Sequence, residues 1–454
     1  MNDVHKYIDT NAQRFQDELF DFLRIPSISA RTEHHADMKA CADWLRASMQ
    51  GAGLDASIHD TKGHPIVLGE WKGAGENAPT VLIYGHYDVQ PAEPLDLWTT
   101  PPFEPTIRDG RVYARGSVDD KGQLHLHIKA IEAYTRTAGS LPVNVIVVAE
   151  GEEEVGSENL MPFIEKHAQR LACDAIVISD STMIAPRSPT IGASLRGLAY
   201  FELRVHGPRS DLHSGSYGGA VINPATALAR IIATLHDEKG HIAIPGFYDD
   251  VLEMADFRKQ IGELGYDENT LAEETGVPSL GGEAGYSTPE RLWVRPTAEI
   301  NGLLSGYTAE GSKTVLPATA MAKISFRLVP NQDPATIEKI FRAHVQNVTP
   351  EGVRAEIITM HGGRPWRARL EGKLVEAAAR ALESAWDKPV VYAGEGGSIP
   401  IVPEFERVLG APVLLMGFGL PGENAHAPDE WMSLENYVYG AHASASLLDE
   451  LRGG

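Results

Sequence analysis

The first fifty residues carry apolar positions at helical spacing. In residues 3–23 these are Val4, Tyr7, Ile8, Phe15, Leu19, Phe22 and Leu23, and the run stops at Ile25-Pro26, where proline disfavours a further helical turn. A second helix is expected over 35–51, with Met38, Cys41, Trp44, Leu45 and Met49 on one face and Gly51-Ala52-Gly53 at its end. The pattern then changes. Short continuous apolar runs at 65–70, 80–84, 143–149 and 174–179 read as buried strands. Helices are expected between them, ending near Thr137 and over 159–170, while the Pro- and Trp-rich stretch 91–110 reads as a loop. Buried strands alternating with helices predict an α/β domain with a mixed, largely parallel sheet flanked by helices.

Near Gly192 the pattern changes again. Residues 198–205 alternate apolar and polar, 224–236 form a helix opened by proline, and 295–302 and 320–329 read as strands. A helix at 334–347 and a strand at 353–360 complete the order β-α-β-β-α-β, that of a ferredoxin-like α+β domain. Residues 240–295 are too irregular to predict any element. The α/β pattern resumes with a helix at 370–386, strands at 389–391 and 411–416, a loop at 418–426 and a closing helix at 433–451. A chain of 454 residues is too long for one ordinary core. The expected division is 1–192 and 365–454 as two parts of one domain, with 193–364 inserted.

Charge and cysteine content narrow the functional classes. With 40 basic and 62 acidic side chains the net charge is −22, which argues against nucleic acid as a partner. An acidic chain suits divalent cations but means little alone. Two cysteines, Cys41 and Cys173, exclude a disulfide framework and suit a reducing compartment. The N-terminal stretch has no apolar signal-type core, and no apolar run reaches the roughly 18 residues that span a bilayer. A cytoplasmic enzyme or binding protein with no membrane partner is expected.

The chemistry lies at the strand ends. The run 143–149 leads directly into Glu150-Gly151-Glu152-Glu153-Glu154-Val155-Gly156-Ser157. Carboxylates this close resist ionising together unless positive charge sits among them. Three other strands end in the same way. Strand 80–84 precedes His86, strand 174–179 precedes Asp180, and strand 411–416 precedes His426; Asp119 and Asp120 follow a shorter strand. In an open α/β sheet, ligands bind beyond the carboxyl ends of the strands, so these residues can converge. Taken singly, His86 suits a polar loop, Asp119-Asp120 a helix cap, and Asp180 a turn. Together, two imidazoles and several carboxylates suit zinc, manganese or cobalt, and there are too many ligands for one ion. Two ions about 3.5–4 Å apart, bridged by a carboxylate and a water, would use them all and leave one Glu free as a base. His125 and His127 lie on an expected helix, where i and i+2 face apart.

The segments Gly85-His86-Tyr87-Asp88-Val89, Gly116-Ser117-Val118-Asp119-Asp120-Lys121-Gly122, Glu150 to Ser157, Ser179-Asp180 and Asn424-Ala425-His426 resemble, in order, those of the co-catalytic di-zinc metallopeptidases. That family includes carnosinases, cytosolic non-specific dipeptidases, aminoacylases and glutamate carboxypeptidases. The resemblance implies one metal on His86, Asp119 and Asp180 and another on Asp119, Glu154 and His426, with Asp119 bridging. It implies that Asp88 orients His86, that Glu153 is the general base, and that the Asp119–Asp120 peptide is cis. Glu150 and Glu152 receive no role. Ser210 to Gly219 resembles the dipeptidase and carnosinase subgroup, which implies that His213 reaches the active site of a partner subunit and stabilises the oxyanion, and that 193–364 is a lid and dimerisation domain. Ser325 to Pro330 resembles the segment whose Arg, here Arg327, holds the substrate carboxylate. Gly394 to Pro400 resembles a loop that contacts substrate, here through Gly397 and Ser398. The expected activity is two-metal hydrolysis of a dipeptide or short peptide by a homodimer. Deacylation of an N-acyl amino acid is the near alternative, and an inactive peptide- or metal-binding relative the distant one.

Overall fold

The computed structural model describes residues 1–266 and 268–453; Asp267 and Gly454 lie outside the described residues. The chain forms two compact units. The first comprises Met1–Ala193, Ala368–Ala393 and Glu404–Gly454, the second Ser194–Arg367 and Gly394–Pro403.

In the first unit four strands, Asn144–Glu150, Thr80–His86, Ala175–Ile178 and Val413–Leu415, lie side by side in that order and run parallel. Ile66–Trp71 joins Asn144–Glu150 antiparallel, Asp55–His59 joins Ile66–Trp71 antiparallel, and Thr190–Leu195 meets Val413–Leu415 antiparallel at the other side. Both faces of the parallel centre are buried, which is why its strands read as unbroken apolar runs. Val81, Ile83, Val145 and Val147 enter the main core on one face. Leu82, Tyr84, Ile146 and Val148, alternating with them, are buried on the other. Helices Asn2–Leu23, Lys121–Thr137, Lys373–Trp386 and Leu434–Glu450 pack against one another.

Most sequence-expected elements are present within a few residues, and the exceptions have physical causes. Strand Thr80–His86 outlasts its apolar run by two residues, so His86 closes the strand instead of following it. Strand Asp55–His59 was not expected, because an edge strand has only Ala56 and Ile58 to mark it. Helix Ile401–Leu409 was hidden by the Gly- and Pro-rich stretch before it, although Pro403 falls in its first turn, where proline is tolerated.

The second unit has a four-stranded antiparallel sheet in the order Thr297–Ser305, Thr319–Leu328, Gly197–His206, Arg354–Gly363. Helices Pro224–Ala233 and Pro334–Val348 cover one face. Asn223 and Asp333 cap their N-termini, and each has proline in its first turn. Phe201, Leu203, Val205, Ala322, Ile324, Phe326 and Leu328 point into that core, so Arg327 takes the opposite face. In chain order this is β-α-β-β-α-β, the ferredoxin-like arrangement. The stretch 240–295 contains short helices Ala255–Glu263, Glu268–Thr275 and Thr288–Trp293, the last opened by a Ser287/Glu290 capping box. Among the described residues no helix is long and apolar enough to cross a membrane.

Candidate active site

The carboxyl ends of the parallel strands meet at one edge of the first unit's sheet, and the metal-type side chains gather there. His86, fully buried at the end of Thr80–His86, places Nε2 3.0 Å from Asp119 Oδ1 and 3.9 Å from Asp180 Oδ2. His426 places Nε2 2.9 Å from Asp119 Oδ2 and 3.2 Å from Glu154 Oε2. Asp119 thus offers one oxygen to each histidine. Two ligand groups result, His86/Asp119/Asp180 and Asp119/Glu154/His426, each with its donor atoms within 4.8 Å of one another. A pair of mixed imidazole–carboxylate groups sharing one carboxylate fits two divalent cations.

Loop geometry holds these donors. Asp119 and Asp120 are joined by a cis peptide, and Asp120 Oδ2 accepts the His86 N–H at 3.2 Å. A Cβ at Gly85 would lie 2.6 Å from that same oxygen, so the strand needs glycine there. Asp88, fully buried, accepts the backbone N–H groups of Glu153 at 3.2 Å and Glu154 at 3.1 Å. His86 Nδ1 lies 3.1 Å from the Asp88 carbonyl oxygen and 3.4 Å from its carboxylate. The carboxylate therefore engages the Glu153–Val155 turn more closely than it engages the ring. Gln90, which the sequence did not single out, donates to Glu154 Oε2 at 2.7 Å. His426 sits at φ +64, a left-handed backbone rare for a residue other than glycine and a mark of functional loops.

The electrostatics follow from crowding. Burial raises the Glu153 carboxyl well above its ordinary value, with Asp180 and Glu154 adding to the rise. Burial and the Asp119 charge push Asp180 up to about 7. Burial would raise Asp119 too, but His426 and His86 outweigh it and hold Asp119 below the usual range. Hydrogen bonding to Asp119 and Glu154 lifts His426 to about 10. Glu153 and Asp180 resist ionisation while His426 is driven to protonate, the signature of a cluster that lacks positive charge, which divalent cations would supply.

The remaining glutamates of the run are structural contacts. Glu150 accepts from Tyr84 Oη at 2.5 Å and Ser157 Oγ at 2.9 Å, tying the turn to the sheet. Glu152 accepts from the His64 N–H at 3.1 Å and from Asn159 Nδ2 at 2.8 Å. His127 is held between Ser444 and Ser179 at 2.7 Å each, while His125 meets Tyr437, so the two rings form no metal pair.

In the second unit, Arg327 Nη1 donates to Ser398 Oγ at 3.0 Å, and Ser398 Oγ donates to the Arg196 carbonyl at 2.5 Å. Arg196, which no sequence motif marks, is buried and donates through Nε to Gly396 O at 2.9 Å, which holds the glycine loop. Burial and the neighbouring Arg327 lower its guanidinium to about 10. Gly397 is exposed beside Ser398. His213 lies on a two-stranded ribbon, Leu212–His213 with Val315–Leu316. Its Nδ1 accepts the Gly215 N–H at 3.0 Å, so the neutral ring carries its proton on Nε2.

Residues 82–450 match the family described as peptidase family M20/M25/M40. The chain is 33% identical to the Cys-Gly metallodipeptidase dug1 of Schizosaccharomyces pombe, across 99% of this chain and 98% of that protein. It is 31% identical to the Beta-Ala-His dipeptidase of Homo sapiens, across 99% and 92%. Among solved structures, an M20 family metallo-carboxypeptidase, Sso-CP2 from Sulfolobus solfataricus, superposes with a TM-score of 0.86 at 34% identity, covering 97% of this chain and 99% of that one.

Proposed function

The chain belongs to peptidase family M20/M25/M40 and is a metal-dependent hydrolase of dipeptides, and from that premise we propose how its residues divide the work. The carrying observation is Asp119, which faces His86 with one carboxylate oxygen at 3.0 Å and His426 with the other at 2.9 Å. His86, Asp119 and Asp180 would hold one divalent ion, and Asp119, Glu154 and His426 the other. Zinc suits the donor set best, with manganese or cobalt as substitutes. Two such ions would supply Lewis acidity, lowering the pKa of a bound water and polarising the scissile carbonyl.

Glu153 takes the proton of the attacking water and returns it to the leaving amine. His213, with its free Nε2–H, donates to the oxyanion in the site of a partner subunit. Arg327, with Ser398 and Gly397, fixes the C-terminal carboxylate of the substrate, since the guanidinium fork matches that group. The second unit then serves as lid and dimerisation domain. Its edge strand Thr297–Ser305 exposes Ile300, Leu303 and Leu304, apolar positions that a second copy would cover in a homodimer. Two free cysteines suit a reducing, cytoplasmic setting.

The test is a panel of dipeptides, a tripeptide and N-acetyl amino acids, assayed after chelation and reconstitution with zinc or manganese. Dipeptides should be cleaved fastest and chelation should remove the activity. Faster release of acetate from the N-acetyl amino acids would make the enzyme a deacylase. Full activity after exhaustive chelation would falsify the two-metal reading.

A further inference from the structure

Glu430 lies four residues beyond His426 and directly before strand Trp431–Ser433, which pairs antiparallel with Arg111–Tyr113. That pairing carries Glu430 under the segment that ends at Asp119. The side chain is completely buried, and its carboxylate is filled by four donors from one stretch of chain. Oε2 accepts from Arg115 Nη1 at 2.8 Å and the Gly116 N–H at 2.9 Å. Oε1 accepts from the Val118 N–H at 3.0 Å and the Asp119 N–H at 3.2 Å. The Glu430 carbonyl oxygen also accepts the Ala114 N–H at 3.1 Å. One residue therefore closes the whole of 114–119 around itself.

A buried carboxylate beside a second carboxylate is an expensive way to fill space. Replacing a buried ion pair by apolar groups is often neutral or stabilising, so packing alone does not call for Glu430 and Arg115. What a carboxylate does that an apolar side chain cannot is accept four converging N–H bonds, two per oxygen. The last of these comes from the backbone of the residue whose two oxygens face His86 and His426. The same residue stands at the end of the loop that carries His426.

We propose that Glu430 is a positioning residue for the metal centre: its carboxylate grips the backbone of Arg115–Asp119 and sets the place of the shared ligand Asp119 relative to His426. It touches neither substrate nor the reacting atoms and acts through Asp119. The proposal rests on the two-cation reading. Because Asp119 belongs to both ligand groups, misplacing it weakens both sites together.

The experiment is a calorimetric zinc titration of chelated wild type and Glu430→Gln, with far-ultraviolet circular dichroism of the chelated proteins alongside. In the Gln variant one pair of donors keeps an oxygen and the other pair confronts an amide NH2. The expected result is a folded variant that binds both ions about 10–100-fold more weakly, with activity recovering as zinc is raised. If Glu430→Gln does not fold, Arg115→Lys keeps the charge but loses the planar fork, and a smaller weakening at both sites is expected. Two ions bound at wild-type affinity by the folded variant, or weakening confined to one site, would overturn the positioning role. Wild type that binds fewer than two ions would instead overturn the two-cation reading itself.

Discussion

Asp88 separates two accounts of how the metal centre is held. In one, its carboxylate works through the His86 ring. In the other, it works through the turn that carries Glu153 and Glu154. The distances favour the second, since both N–H bonds of the turn are shorter than the 3.4 Å contact to the ring, and the ring keeps its 3.1 Å contact to the Asp88 carbonyl oxygen whatever side chain stands there. Asp88→Ala removes the acceptors of two backbone N–H groups. Each buried donor left unsatisfied costs about 1–3 kcal/mol, so the ceiling is about 2–6 kcal/mol. Glu153 and Glu154 are only half-buried as residues, so the turn can shift and hydrate its N–H groups, and the cost falls toward the lower end. The expected outcome is zinc affinity about 10–100-fold weaker at the Glu154/His426 site, near-normal affinity at the His86/Asp180 site, and a reduced kcat that excess zinc does not fully restore. Calorimetric titration resolves the two sites, and turnover at saturating zinc reports the base. A variant that loses the His86/Asp180 site and keeps its kcat at saturating zinc would show that the carboxylate acts through the ring.

Further substitutions examine the other assigned groups. Glu153→Gln should lower kcat by about 10²–10⁴ while two metals per subunit remain bound; loss of metal by elemental analysis would make Glu153 a ligand. His213→Ala should lower kcat by about 10²–10³; near-normal steady-state turnover would return it to the status of a ribbon residue. Burial lowers His127 from 6.5 to about 3. The unfolded chain therefore binds a proton there that the folded chain refuses, and stability is lost as pH falls through that window, by up to about 1.4 kcal/mol per unit. Denaturant melts of chelated His127→Asn should show a flatter pH slope than wild type, and an unchanged slope would place the titration elsewhere.

Much of the fold was legible because the signals are local. The parallel strands are buried on both faces and so read as continuous apolar runs, and the helices of both units carry their own spacing and caps. The edge strand Asp55–His59 and helix Ile401–Leu409 escaped because one is only half apolar and the other begins inside a Gly- and Pro-rich stretch. The family pattern likewise pointed to His86, Asp119, Glu154, Asp180 and His426, which the first unit brings together. It could not point to Gln90, Arg196 or Glu430. Each acts by a hydrogen bond to a partner remote in sequence, as in the 311 positions between Asp119 and Glu430, and nothing in their own neighbourhoods marks that partner.

Residue order alone is enough to establish most of the buried strands and amphipathic helices, which side of each helix is apolar, and which donor types stand at the strand ends. These depend on periodicity and on chemistry carried by neighbouring residues. Tertiary structure decides which oxygen of Asp119 faces which histidine, that the Asp88 carboxylate serves the turn more closely than the ring, and that Glu150 and Glu152 brace the loop whose neighbours Glu153 and Glu154 line the site. Five consecutive residues containing four glutamates are nearly equivalent as a string. They become different once the strand ends at Glu150 and the chain turns, because each carboxylate then meets a different neighbour, and burial and charge set its chemistry from there.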